Sequence, residues 1–237
     1  MRRTCDALWR GQLRFWQPAR GEGYRFNLDP VLLSGFARPA SHVLDLGAGV
    51  GVLAVLLVRS GKAERVTAVE VLPELAALCA ENVRENGLSA AIHVVTGDLR
   101  HLAPVQADAA VFNPPFFKAT HGRGAPERRR DVARHERHGT LADFVMYAVA
   151  SVGGGPVAAV VPAARGPELE ELLAARDHGA VRRREVVARE GGAAERWLVE
   201  GGWSGGVEAG VTCEAPLVVH GGEGREFSEE VKKLLRE

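Results

Sequence analysis

A run of four apolar residues closed by two prolines constrains the fold of this chain more than any other stretch. Residues 109–112 read Ala-Ala-Val-Phe, and Asn113, Pro114 and Pro115 follow directly. Proline can neither continue a helix nor donate to a β-ladder, so the run predicts a buried strand that ends abruptly at the rim of a sheet. Ligands in open α/β sheets bind at such rims. We therefore expect functional residues where the strands end.

The residues after this strand have the chemistry to hold a planar NH2 group. The side-chain carbonyl of Asn113 and the backbone carbonyl of Pro114 supply two acceptors, one for each hydrogen. Holding both hydrogens favours a pyramidal nitrogen whose lone pair can attack an electrophile. Phe116 would stack on the flat group that carries the amine. The predicted catalytic segment is Asn113, Pro114, Pro115 and Phe116, and a plain Asn-Pro turn is the alternative.

A glycine-rich turn follows an earlier apolar strand that begins at Val43. Asp45 lies in that strand, and Gly47, Gly49 and Gly51 come after it at alternate positions. A helical segment follows the last glycine. Glycines let the backbone pass close to a ligand, which then faces the N-terminus of the helix. The turn therefore predicts a binding site for a nucleotide-like ligand.

Acidic residues end the next two predicted strands. Residues 65–70 end at Glu70, the position at which nucleotide-binding βαβ units carry the acid that bonds a ribose. Residues 91–95 lead to Asp98, placed to accept from an adenine amino group. Either acid could instead be a helix cap or a surface residue, but together they predict a nucleoside-shaped site. The predicted cofactor-binding residues are Asp45, Gly47, Ala48, Gly49, Gly51, Glu70, Val71, Asp98, Leu99 and Asn113.

In order and spacing, these motifs resemble the class I S-adenosylmethionine-dependent methyltransferases that methylate nitrogen. The likeness covers about residues 43–161. A dehydrogenase would usually carry Gly-x-Gly-x-x-Gly, and no hydride-transfer acid is evident here. The resemblance implies a Rossmann-like α/β fold, with a seven-stranded, mostly parallel sheet, a terminal antiparallel hairpin and helices on both faces. It also implies S-adenosyl-L-methionine as the cofactor.

The flanking segments are similar to the bacterial tRNA adenine-N6 methyltransferases that act on valine tRNA. The similarity lies in residues 23–33, in the arginine-rich segment after Phe116, and in the tail from Pro216 to Val231. It implies tRNA as the partner and adenine N6 as the acceptor. The predicted substrate-binding residues are Tyr24, Arg25, Asn27, Asp29, Lys118, Arg128, Arg129, Arg130 and Arg134.

The formal net charge of the whole chain is zero, so binding to nucleic acid would depend on a local basic patch. Residues 117–139 are predicted to form a basic substrate loop, with seven basic and three acidic residues between Lys118 and His138. Arginines suit phosphate contacts around a flipped-out base, and a solvated loop is the alternative. His121, His135 and His138 have no cysteine or paired carboxylate in ligand spacing, so we predict no metal site.

We expect one methyltransferase domain, residues 41–237, preceded by an arm and helix in residues 1–40 that cover the substrate or cofactor. In the arm, Asp29 is predicted to cap a helix with Pro30 in its first turn. Three widely spaced cysteines indicate reduced thiols in a cytoplasmic protein. No apolar run is long enough to cross a membrane. A monomer and a weak homodimer both fit the sequence, and residues 201–210 have no predicted role.

Two other functions remain open. Methylation of a protein glutamine amide, as in release-factor methyltransferases, uses nearly the same motif; those enzymes carry a larger helical N-terminal domain, whereas 42 residues precede the first core strand here. Guanine-N2 or DNA-adenine methylation is a variant of this alternative. The second alternative is a cofactor-binding RNA scaffold without turnover. The intact motif at Asn113 argues against it.

Overall fold

A computed structural model describes residues 2–114, 139–202, 210–222 and 224–236 of the chain. The chain begins with a hairpin of β1 (Arg3–Leu8) and β2 (Leu13–Pro18), followed by helix α1 (Asp29–Phe36). The remaining elements are β3 (Ala40–Leu46), α2 (Val52–Arg59), β4 (Ala63–Glu70), α3 (Pro73–Glu85), β5 (Ile92–Thr96), β6 (Ala109–Phe112), α4 (Leu141–Val152), β7 (Val157–Pro162), α5 (Gly166–Ala174), β8 (Ala180–Val187), β9 (Ala194–Gly201), β10 (Thr212–Val218) and α6 (Glu229–Leu235).

The main sheet has the strand order β10-β8-β9-β7-β6-β3-β4-β5. From β7 to β5 all neighbours are parallel, whereas β9 runs antiparallel to both β7 and β8. The predicted α/β class and its terminal antiparallel hairpin are confirmed. The predicted count of seven strands is wrong, because β10 adds an eighth strand parallel to β8.

Two apolar layers cover the two faces of the sheet. Val43 packs with residues of the hairpin, α1, α2, α3 and α6. Leu44 and Leu46, whose side chains point to the opposite face, pack with α4 and α5. Successive strand residues alternate in direction, so apolar residues at every position bury both faces, as expected of a parallel sheet. The prediction of helices on both faces is confirmed.

Two asparagines on α3 fasten the N-terminal hairpin to the domain. The side-chain amide of Asn82 bonds both the backbone N–H and the C=O of Trp16, at 2.7 and 2.9 Å. Asn86 does the same with Arg14, at 3.1 and 2.8 Å. Four helical residues rise about 6 Å and two strand residues about 6.6 Å, so the spacings match. Because α3 leaves the carboxyl edge of the sheet, β2 runs back toward that edge.

Within the residues that the structure describes, no helix is both long and apolar enough to pass through a membrane. The same ranges contain no group of three or more His, Cys, Asp or Glu residues that could hold a metal ion. Cys5, Cys79 and Cys213 are free thiols.

Candidate active site

The register of three adjacent strands brings the sequence motifs to one edge of the sheet. β3 pairs with β4 on one side and with β6 on the other, in parallel register. Gly47, Glu70 and Asn113 therefore leave the sheet side by side. Strands lie about 4.8 Å apart, so Glu70 and Asn113 are about 10 Å from each other, on either side of the glycine turn.

The glycine turn has a backbone that side chains would not permit. Gly49 and Gly51 have φ of +57° and +86°, in the left-handed region that favours glycine. A Cβ on Gly51 would lie 2.6 Å from the Cys79 sulfur, and one on Gly49 would lie 3.3 Å from the Tyr24 ring. The turn is thus closed on one side by α3 and on the other by the N-terminal arm.

Glu70 is the buried carboxylate beside this turn. It is 5% exposed, and its Oε2 accepts from the Gly49 N–H at 2.8 Å while its Oε1 accepts from the Leu72 N–H at 3.0 Å. Burial raises its pKa, and these backbone donors oppose that rise. Each oxygen retains a further lone pair. The side chain can therefore accept from two neighbouring hydroxyl groups without giving up its backbone bonds.

Asp45 lies under the turn with an unsatisfied oxygen. The residue is 1% exposed, and its Oδ2 has no hydrogen-bond partner in the part of the chain that the structure describes. Burial, with a smaller contribution from the Glu70 charge, raises its pKa to about 7 against an opposing backbone hydrogen bond from Ala54. A buried unpaired carboxylate oxygen is costly. A cationic group in the adjoining pocket would satisfy it.

Asp98, after β5, is held by an arginine. Its Oδ1 accepts from Arg100 Nε at 3.0 Å and its Oδ2 accepts from Nη2 at 2.6 Å. These charge-assisted bonds lower the pKa of Asp98 to about 2, so it is ionised at neutral pH. A ligand amine that reached this carboxylate would share it with the guanidinium. Leu99 is buried and Val71 is half-buried at the same edge.

One pocket joins Asn113 to the glycine turn and the N-terminal arm. Asn113, half-buried after β6, lines it together with Tyr24 and Asp45. The other lining residues are Phe26, Pro30, Gly47, Ala48, Val50, Val52 and Leu53. The buried Phe112 ring, 5.7 Å from the ring of Phe144, anchors the strand end from which Asn113 projects. The structure thus assembles the pocket from three separate parts of the sequence.

Tyr24 forms the outer wall of this pocket. The residue is 40% exposed, and its ring lies beside Gly49. Desolvation, followed by the charges of Asp29, Glu70 and Asp45, raises the pKa of Tyr24 to about 12. Its hydroxyl is therefore protonated at neutral pH and can both donate and accept a hydrogen bond.

The other predicted residues of the arm do not line the pocket. Asn27 Nδ2 donates to Asp29 Oδ2, and Asn27 Oδ1 accepts from the Asp29 N–H, both at 3.0 Å. Asp29, 6% exposed, also accepts from Arg196 Nε at 3.3 Å. The prediction that Asp29 caps α1 is wrong: Asp29 is the first helical residue, and Asn27 binds its N–H. Arg25 turns toward β1, where it donates to Asp6 at 2.9 Å.

Asn82 is a site-supporting residue that the sequence reasoning missed. Its Nδ2 donates to the carbonyl of Val50, inside the glycine turn, at 2.8 Å, while the same amide holds Trp16. It thereby links the arm to the turn. The sequence signal was a pair of asparagines four positions apart on a helix. Asparagine is a weak helix former, so such a pair on one helix face indicates a specific hydrogen-bonding role.

Several predicted residues lie outside the described residues. They are Pro115, Phe116, Lys118, Arg128, Arg129, Arg130, Arg134, His121, His135 and His138. Of the predicted basic loop 117–139, only Gly139 falls within the described ranges, and residues 203–209 of the unassigned segment also lie outside them.

Comparison with known proteins adds a likeness to a protein family. Residues 29–126 match the family model of the methyltransferase small domain. The whole glycine turn, Glu70, Asp98 and Asn113 lie within this matched segment. Tyr24, which completes the pocket, precedes it.

Curated relatives extend the likeness beyond the matched residues 29–126. The chain is 34% identical over 120 residues to the tRNA1(Val) (adenine(37)-N6)-methyltransferase of Shewanella sp. strain MR-7, covering 48% of this chain and 50% of the relative. It is 29% identical over 169 residues to the enzyme of the same name from Tolumonas auensis, covering 69% and 70%. The chain thus spans about half the length of the first relative. The resemblance to the bacterial tRNA adenine-N6 methyltransferases is confirmed.

A solved structure supports the fold. A predicted O-methyltransferase from Agrobacterium tumefaciens superposes with a TM-score of 0.67 at 24% identity, over 87% of this chain and 94% of that chain. The superposition extends well beyond residues 29–126. The overall fold of the chain is therefore shared with a second protein.

Proposed function

We propose that this chain transfers a methyl group from S-adenosyl-L-methionine to the N6 amine of an adenine in tRNA. The observation that carries the proposal is the pocket in which Asn113, Tyr24 and Asp45 meet the glycine turn. The names of the curated relatives support the acceptor. The three free thiols support action in a reducing compartment, the cytoplasm.

The donors and acceptors at this edge fit S-adenosyl-L-methionine. The unpartnered Oδ2 of Asp45 suits the cationic amino group of the methionine part. Glu70 has one further lone pair on each oxygen for the ribose hydroxyls, and Asp98 can accept from the adenine amine. Bound there, the cofactor supplies a methyl group on a sulfonium, which is already a good electrophile.

Asn113 and Pro114 position the acceptor amine. The Asn113 side-chain oxygen and the Pro114 carbonyl accept its two hydrogens, so its lone pair is directed toward the methyl group. Tyr24 offers an aromatic face beside the glycine turn on which the base can stack. The nitrogen lone pair would take the methyl group as the S–C bond breaks, the sulfur would leave as a neutral thioether, and the amine proton would pass to water afterwards. Positioning does most of the work, and no strong base is required.

Transfer of a tritiated methyl group to total tRNA and, separately, to a protein lysate tests the proposed function. We expect label in tRNA, recovered as N6-methyladenosine after digestion to nucleosides. Label recovered in glutamine would reject the tRNA acceptor in favour of a protein amide. Label in neither pool would favour a binding protein without turnover.

Asn113→Ala tests the assigned chemistry. Because the variant loses an acceptor that acts on the amine, we expect turnover to fall by about a thousandfold or more, with the cofactor Kd within about threefold of wild type. Asn113→Asp keeps an acceptor oxygen and should retain part of the activity. Equal losses of cofactor affinity and of turnover would contradict this division of roles.

A further inference from the structure

The open end of the N-terminal hairpin forms a concavity on the surface of the arm. We name it the arginine concavity. Its lining residues are Arg2, Arg3, Thr4, Asp6, Ala19, Arg20 and Arg25. These residues include four guanidinium groups and one carboxylate, and with Glu22 and Glu81, which pair with Arg2 and Arg3, the local formal charge is +1.

Nearby carboxylates engage only part of these guanidinium groups. Arg2 Nε pairs with Glu22 and Arg3 Nη1 pairs with Glu81, each at 2.6 Å. A guanidinium has five N–H donors, so both arginines have donors left for a ligand. Their side chains are 84% and 46% exposed. Arg20 is exposed, and its side chain makes no hydrogen bond or ion pair with any residue in the described ranges.

Two consecutive residues of the N-terminal arm connect the arginine concavity to the candidate active site. Tyr24 lines the pocket with Asn113, and the next residue, Arg25, lines the concavity. The hairpin presents its open end toward the carboxyl edge of the sheet, because β2 runs from Asn86 toward Asn82 along α3. A nucleic-acid strand that continued from a base in the pocket along the arm would pass the concavity.

We propose that the arginine concavity binds backbone phosphates of tRNA on one side of the target base. The inference rests on the proposed function, and it assigns to Arg2, Arg3 and Arg20 a role in substrate binding. Planar guanidinium groups match phosphate oxygens in pairs, and such contacts position a nucleic acid without reading its sequence. An aromatic wall at Tyr24 next to the concavity favours a polynucleotide over an acidic protein segment, because every base has a face that can stack.

The experiment compares two double variants that remove the same charge from opposite edges of the sheet. R2A/R20A removes two exposed arginines from the concavity. R65A/R176A is the control, and it removes two arginines at the amino edge of the sheet, one near the start of β4 and one just after α5. Fluorescence anisotropy with a labelled tRNA transcript, at several potassium chloride concentrations, measures Kd. For R2A/R20A we expect Kd at low salt to rise about tenfold or more, and the slope of log K against log salt to fall by about 1 to 2.

The control should bind tRNA within about twofold of wild type, and both variants should keep the melting temperature and the cofactor Kd of wild type. If the two double variants bound tRNA equally well, the inference would be overturned. The proposed function would still stand as long as the wild type transferred methyl groups to tRNA. Wild-type tRNA binding without methyl transfer would instead reject the proposed function. Loss of poly-glutamate binding in R2A/R20A, with tRNA binding unchanged, would assign the concavity to an acidic protein and also overturn the inference.

Discussion

Gly51 illustrates how backbone angle and packing together restrict a residue in the glycine turn. Its φ is +86°, and an added Cβ would lie 2.6 Å from the Cys79 sulfur. We expect Gly51→Ala to lower the free energy of unfolding by about 2 to 4 kcal/mol, from a left-handed backbone worth about 1 to 2 kcal/mol and from overpacking. Urea unfolding measures the loss.

Gly61→Ala is the matched control for this substitution. Gly61 has a similar φ of +74°, but nothing lies within 4 Å of an added Cβ. Only the backbone cost of about 1 to 2 kcal/mol should remain. If both substitutions lowered stability equally, the contact between Gly51 and Cys79 would have no energetic consequence.

Asp45 should make the stability of the fold depend on pH. Its pKa is raised from 3.8 to about 7, chiefly by burial. The folded chain therefore holds a proton that the unfolded chain has released, so stability falls as pH rises from about 4 to about 7. Asp45→Asn cannot ionise, and its stability relative to wild type should grow by about 2 to 3 kcal/mol between pH 5 and pH 8.

Urea unfolding of wild type and Asp45→Asn at the two pH values measures this growth. Cofactor affinity of the variant should fall, because the partner for a cationic group is lost. A stability difference that did not change with pH would mean that Asp45 is ionised in the folded chain throughout this range.

At the scale of elements, the contact between the hairpin and α3 is the feature to test. Asn82→Ala removes bonds to Trp16 and to Val50, whereas Asn86→Ala removes only the bonds to Arg14 and within α3. Both should lower stability by about 2 to 3 kcal/mol, because partly buried backbone groups of β2 lose their partners. Both should speed hydrogen exchange at β2.

Only Asn82→Ala should also raise the cofactor Kd, because only Asn82 holds the glycine turn. Calorimetric titration of the two variants with S-adenosyl-L-methionine measures the difference. Equal cofactor affinities in the two variants would show that the bond to Val50 does not shape the turn.

Elements that carry a local signal can be located from the sequence alone. Helix α4 begins after Thr140, whose hydroxyl accepts from the Asp143 N–H while Asp143 accepts from the Thr140 N–H. Such a capping box is visible within four residues. Strand β10 was missed because it is a mostly exposed edge strand with Pro216 inside it and a register shift before Leu217. Edge strands of this kind have no hydrophobic alternation to detect.

At the scale of the whole molecule, cofactor binding should raise thermal stability. A ligand that binds only the folded chain, at a hundred times its Kd, stabilises it by about 2.7 kcal/mol. For a chain of this size that raises the melting temperature by about 5 to 10 °C. Glu70→Ala should lose most of the shift, whereas Asn113→Ala should keep it. Differential scanning fluorimetry with S-adenosyl-L-methionine measures all three proteins, and loss of the shift in both variants would contradict separate cofactor and acceptor residues.

The sequence by itself determined the central strands, the glycine turn and the polar residues at the strand ends. These signals lie in short stretches, since apolar runs, glycines, prolines and helix caps act on their neighbours. Only the tertiary structure decided that Arg25 turns to Asp6, that Arg100 holds Asp98, and that Asn82 joins the arm to the turn. Side-chain hydrogen bonds depend on which elements pack together. No local sequence pattern identifies a contact between residues that are far apart in the chain.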